Sequence, residues 1–247
     1  MDLLDLPAAD GTAEAYLSRP ASGSAPGVLL FMDAIGLRPQ IQEMCDRIAG
    51  WGYVVLAPNV FYREGSVAEL APRVDLREPG GREEFFAGAM PRVHRLTSDL
   101  AVPDIAAYVQ TLRGLPGVAE GPIGVTGYCM GARLAVRAAT SHPTLVTACA
   151  GFHGAGLVTD APDSPHLGLS AARAEFLFGH AHEDASMPPE AVEALGAALV
   201  EHGLTAANEV YPAPHGYTMA DTSAYDEAAA ERHFTELQAL LARALPA

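Results

Sequence analysis

Basic residues are scarce in this chain: 15 Lys and Arg stand against 30 Asp and Glu, a formal net charge of −15 over 247 residues. That balance argues against nucleic acid and anionic membrane surfaces as partners, since both reward clustered cations. Cysteine is scarce too. Cys45, Cys129 and Cys149 are too few and too scattered for a disulfide framework or a zinc site, and an odd number leaves at least one thiol free, as a reducing cytoplasm would keep it. No apolar run reaches the roughly 18 residues of a membrane span, and Met1-Asp2-Leu3-Leu4-Asp5 lacks the basic and apolar regions of a secretory leader. These absences predict a soluble, cytoplasmic protein.

What the chain does have is apolar content, 49% of residues, enough for one α/β domain over 1–247 with a large core. Apolar, β-branched runs alternate with amphipathic stretches, the pattern of a mostly parallel, doubly wound sheet covered by helices on both faces. Strands are expected at about 28–33, 53–57, 122–127, 146–151, 175–179 and 208–211. Residues 2–7 and 12–18, joined by Ala9-Asp10-Gly11, read as an antiparallel edge hairpin. Helices fit about 40–50, 98–113, 130–141, 188–202 and 222–243, several closed by Gly or Pro. The stretch 61–97, with Pro72, Pro79, Gly80, Gly81 and Pro91 among many charges, reads as an irregular excursion over or beside a site.

Glycine is used with particular economy at Gly127-Tyr128-Cys129-Met130-Gly131, where an apolar run gives way to a helical pattern. Such a motif also arises by chance in a glycine-rich chain. Its placement, however, matches a nucleophile elbow, in which small residues flank a nucleophile on a sharp strand-to-helix turn. A cysteine there stands at a helix N-terminus, which favours a thiolate and a developing oxyanion. Acyl transfer through a thioester is the chemistry implied.

A nucleophilic cysteine needs a base, and the base an acid to hold its tautomer. Asp184 lies between Phe176-Leu177-Phe178-Gly179 and Met187-Pro188-Pro189, at the C-terminal end of an expected strand, with Glu183 as a substitute. His215, in Pro214-His215-Gly216-Tyr217 between the last strand and the last helix, is the candidate base, and it would titrate between about pH 5 and 8. The oxyanion would be held by the N–H groups of Met130 and of Ala34, or Ile35, in the loop Asp33-Ala34-Ile35-Gly36. His153 is expected at the same rim, with Tyr128 and Tyr217 beside the pocket. His180 and His182 lack the further ligand that a metal site requires, so no metal is expected. His94, His142, His166, His202 and His233 read as surface or capping residues.

With these pieces in order, the chain resembles the dienelactone hydrolase family of α/β-hydrolases over nearly its whole length. The resemblance is carried by Asp33-Ala34-Ile35-Gly36, Trp51-Gly52-Tyr53-Val54-Val55-Leu56-Ala57-Pro58, the Cys129 elbow, Asp184 before Met187-Pro188, and His215-Gly216-Tyr217. It implies an α/β-hydrolase fold, a Cys-His-Asp triad that opens an enol-lactone, and no cofactor. It also implies that Asp33, where the family has glutamate, interacts with the resting cysteine. Family members grip a substrate carboxylate with two arginines. Met219 stands at one of those positions, and Arg63, Arg73, Arg77 and Arg82 are the candidates for the other. The expected partner is a small ester or lactone, met by a monomer or small homo-oligomer. Alternatives are a different small ester or thioester, or a ligand-binding homologue without turnover. Dinucleotide binding is disfavoured because Gly124, Gly127 and Gly131 miss the required spacing.

Overall fold

The computed structural model describes residues 3–21 and 23–245. Asp2, included in the first expected strand, lies outside the described residues. Strands β1 (Leu4–Ala8) and β2 (Gly11–Ser18) form an antiparallel hairpin. β3 (Gly27–Phe31), β4 (Val54–Pro58), β5 (Ile123–Tyr128), β6 (Val146–Phe152), β7 (Glu175–Ala181) and β8 (Ala206–Tyr211) complete one eight-stranded sheet in the order β1-β2-β4-β3-β5-β6-β7-β8. β2 is antiparallel to both neighbours, and every pairing from β4 through β8 is parallel. All residues of β3, β4 and β5 are buried, which is why these strands read as unbroken apolar runs.

Helices α1 (Pro39–Ala49), α2 (Val67–Leu70), α3 (Gly81–Arg95), α4 (Ser98–Gly114), α5 (Met130–Ser141), α6 (Pro189–Glu201) and α7 (Glu227–Ala244) connect or cover the strands. α1 shows the usual reason: Ile41, Met44, Cys45 and Ile48 recur every three to four residues and form its buried stripe. In α7 the same stripe runs through Ala230, His233, Phe234, Leu237 and Leu241. His233 is therefore fully buried, against its reading as a surface or capping residue. Its position in the helical repeat overrides its residue type.

Two further expectations need correction. The last helix begins at Glu227 and not 222, because residues before it form a loop that turns Met219 and Thr222 inward, and Asp226 caps the helix by accepting the Ala229 N–H at 2.9 Å. About half of the stretch 61–97 is helical, in α2 and α3. α3 passes through Pro91, whose ring removes only one ladder bond and whose φ is compatible with a helix. Two short turns and the capping box of Ser66 and Glu69 on α2 account for most of the remainder.

Candidate active site

Cys129 follows β5 directly and stands before α5 with φ 55° and ψ −122°, a conformation costly for any residue with a Cβ. The flanking glycines are dictated by backbone approach. A Cβ on Gly127 would lie 2.1 Å from the Gly131 carbonyl oxygen, and one on Gly131 would lie 2.4 Å from the Phe31 carbonyl oxygen. The turn is fixed at both of its backbone groups: the Cys129 N–H donates to Phe152 O at 3.1 Å, and Cys129 O accepts from the Ala132 and Ala155 N–H groups at 3.1 Å.

His215 and Asp184, 31 residues apart in sequence, meet here: His215 Nδ1 is 2.6 Å from Asp184 Oδ2. The other carboxylate oxygen accepts the Ser186 N–H at 2.8 Å. Glu183, the possible substitute, is exposed and takes no part in this bond. Burial alone would push the Asp184 carboxyl up, but the His215 hydrogen bond and charge, with the Ser186 bonds, hold it below the ordinary carboxylate range. Burial likewise disfavours the His215 cation, yet negative charge on Cys129 and the bond to Asp184 outweigh it and raise the imidazole to about 10. Fully buried His153 supports this ring from beneath, edge to face at 5.1 Å, and is itself fixed by Thr218 Oγ1 at 2.7 Å. Burial and the neighbouring His215 keep it neutral, well below the ordinary histidine range.

The loop after β3 supplies the opposite wall. Asp33 Oδ1 accepts the Ile35 N–H at 3.0 Å and the Gly36 N–H at 3.3 Å. Among the described residues, the Ala34 N–H has no acceptor. Met130 is the first residue of α5, where N–H groups lack helical partners. The Asp33 carboxylate is held by Arg38 Nη1 and Nη2 at 2.7 and 3.0 Å, and Arg38 Nε reaches Asp221 Oδ2 at 2.6 Å. These bonds hold the carboxylate expected to engage the resting cysteine, and Asp33 and Cys129 line one small recess. Arg38 also meets Met219 Sδ at 3.2 Å, so a guanidinium does lie beside Met219, but it comes from the opposite loop and is already paired with two carboxylates. From α3, Arg92 Nη2 braces the loop through the Ala34 and Ile35 carbonyls at 2.9 and 3.0 Å.

Cys129, Met130, Ala34 and His215 line a cavity of about 300 Å³. One face of α3, carrying Arg82, Phe86, Met90 and Val93 at helical spacing, forms its far wall. Of the four arginines considered from sequence, Arg82 is the one that reaches this cavity, and its Nη2 donates to His215 O at 3.1 Å. Ile35 and His153 line a small neighbouring recess together with Cys129 and His215. Tyr128 and Tyr217 do not reach the cavity. Tyr128, the last residue of β5, points away from the elbow, stacks on Phe152 and meets His233. The Tyr217 hydroxyl donates to Gly179 O at 2.9 Å within the core. Strand alternation turns Tyr128 behind the site, and the turn after His215 does the same for Tyr217. His180 is buried against Asn208 while His182 is exposed, so the two histidines face different surroundings. Nothing in the sequence marks Arg38, Arg92 or Arg133, whereas the α3 face is marked by the helical spacing of Arg82, Phe86, Met90 and Val93.

A parallel sheet entered by an antiparallel hairpin, with a strained residue between β5 and α5 and an acid and a histidine after β7 and β8, defines an α/β-hydrolase fold. The chain belongs to the dienelactone hydrolase family, whose model matches residues 13–245. It is a hydrolase by that membership. Carboxymethylenebutenolidase 1 of Cupriavidus pinatubonensis is 29% identical over 147 residues, covering 60% of this chain and 58% of that protein. A Synechocystis protein named as a candidate carboxymethylenebutenolidase is 28% identical over 222 residues, covering 87% and 86% of the two chains. The solved structure of a candidate dienelactone hydrolase from Klebsiella pneumoniae superposes with a TM-score of 0.82 at 23% identity over 98% of both chains, a likeness of fold.

Proposed function

We propose that this protein hydrolyses a lactone or an activated carboxylic ester through a thioester on Cys129. His215 bonds Asp184 through Nδ1, which leaves Nε2 as the nitrogen available to take the Cys129 proton. The sulfur adds to the substrate carbonyl, and the Ala34 and Met130 N–H groups hold the oxygen that becomes negative. Collapse breaks the carbonyl-carbon to alkoxy-oxygen bond, and His215 gives its proton to the leaving oxygen. Water then attacks the thioester with His215 as base, releasing the acid and the free thiol. Each step uses side chains and amides of this chain, without a cofactor.

The observation that carries this reading is the 2.6 Å bond between His215 and Asp184 beside a strained, glycine-flanked Cys129. A thiolate suits leaving groups that depart easily, such as the enolate of an enol-lactone, over amides and simple alkyl esters. Arg82 is placed to meet a substrate carboxylate at the His215 end of the cavity, whereas Met219 removes the second arginine of the family. The reading therefore keeps the carboxymethylenebutenolidase chemistry and leaves room for a different acid. All three thiols are unpaired, with Cys45 and Cys149 buried, which suits a reducing cytoplasm. Hydrolysis of an aryl acetate and a lactone panel should fall by about 10³-fold or more in Cys129→Ala, the scale on which removing a covalent nucleophile acts. Equal rates in parent and variant would end the assignment.

A further inference from the structure

Two cavities adjoin beside Cys129. The first, about 300 Å³, holds the thiol; the second, about 340 Å³, continues between the end of α3, the start of α4 and α5. Val93, His94, Arg133 and Gly156 line both and form their common boundary. Around the thiol the walls are largely apolar, with Ala34, Phe86 and Met90. The second chamber is different, presenting Ser98, Thr159 and Ser164 together with the paired Arg137 and Asp163.

Arg133 lies on α5 four residues after Cys129 and lines the same cavity as the thiol. Among the described residues its guanidinium makes one hydrogen bond, from Nη2 to Val93 O at 3.0 Å, and no ion pair. Of the other arginines on the two chambers, Arg137 is paired with Asp163, and Arg82 in the first donates to His215 O. A half-buried guanidinium with most of its donors unspent, at the junction of two cavities, is short of an anion. Burial disfavours its charge, and the proximity of Cys129 only partly offsets this.

We propose that Arg133 anchors an anionic group on the part of the substrate that extends into the second chamber. The substrate class is then an elongated ester or lactone, apolar next to the reacting carbonyl and carrying a carboxylate several bonds away. This inference rests on Cys129 as the nucleophile, because that residue sets which end of the cleft holds the carbonyl. Arg82, bonded to His215 O, lines the first cavity and the recess beside His215 but not the second chamber.

The test compares p-nitrophenyl butyrate with the mono-p-nitrophenyl esters of glutarate and adipate, in the parent, Arg133→Gln and Arg133→Lys. The parent should favour an anionic ester. In Arg133→Gln the kcat/KM ratio of anionic to neutral ester should drop about tenfold, through KM, which is the worth of a charge-assisted hydrogen bond. Arg133→Lys should retain part of the preference. No preference in the parent, an unchanged ratio in Arg133→Gln, or an equal loss on both esters would overturn the anchor, the last pointing to a structural role. A separate arm needs no turnover: calorimetry of adipate with Cys129→Ala should show binding that the added Arg133→Gln change weakens. If no ester is turned over, the nucleophile reading fails. Equal adipate binding with and without Arg133 overturns the anchor on its own.

Discussion

At the level of single residues, His215 is where the structure departs most from what its residue type suggests. A histidine base ordinarily titrates near neutrality. Here burial, which favours the neutral ring, loses to negative charge on Cys129 and the Asp184 bond, and the imidazole is carried up to about 10. The proton is thus held through neutral pH and lost as pH rises toward that value. The kcat/KM profile should stay level across neutral pH and fall on the alkaline side. Asp184→Asn removes the bonded carboxylate, so its alkaline fall should move to lower pH and its rate should drop by about 10²–10⁴-fold, the usual range for a compromised acid–base group. An alkaline limb left in place by Asp184→Asn would count against Asp184 as the group that orients and charges His215.

Among the elements, α3 does most to shape the cavity, and two of its glycines show how it is built. A Cβ on Gly81 would stand 2.1 Å from the Asp75 carbonyl oxygen, a backbone atom that cannot step aside, so the first turn of α3 packs against the preceding loop only without a side chain. Gly88, within the same helix, has nothing within 4 Å of its would-be Cβ. Gly81→Ala should therefore lower stability by about 1–3 kcal/mol, as overpacking does, and raise KM by shifting the wall that carries Arg82 and Phe86. Gly88→Ala should raise stability by about 0.5–1 kcal/mol, the helical advantage of Ala over Gly. Thermal melts of the two variants check both signs; a stabilising Gly81→Ala would show that this contact yields more readily than its geometry indicates. Arg92 joins α3 to the Ala34 and Ile35 carbonyls, so a movement of this wall is transmitted to the loop facing Cys129.

For the molecule as a whole, what the sequence revealed tracks how local the determining interaction is. The parallel core was legible because β3, β4 and β5 are buried on both faces and read as continuous apolar runs. Cys129, Asp184 and His215 were legible because each sits where a strand ends, in an order the fold constrains. α3 was obscured by Pro91 and the Pro79-Gly80-Gly81 opening, which mimic loop chemistry while permitting a helix. Tyr128 and Tyr217 lie close in sequence to the candidate residues Cys129 and His215, yet the strand at Tyr128 and the turn at Tyr217 direct both side chains into the core. Asp33 was visible as a strand-end acid, but its partner Arg38 is bound in turn by Asp221, 183 residues further along, a pairing no local pattern contains. Arg133 is hidden for a similar reason: that it pairs with no carboxylate among the described residues is visible only in the packed structure.

The central claim is covalent, and the most direct measurement is therefore the acyl-enzyme itself. Acid-quenched mixtures of the protein with p-nitrophenyl acetate, digested and analysed by mass spectrometry, should carry an acetyl group on the peptide containing Cys129. It should be released by hydroxylamine, be missing from Cys129→Ala, and build up further in His215→Gln if deacylation slows more than acylation. Ester turnover by the Cys129→Ala protein at the parent rate, with no acyl group on the peptide in either protein, would contradict it.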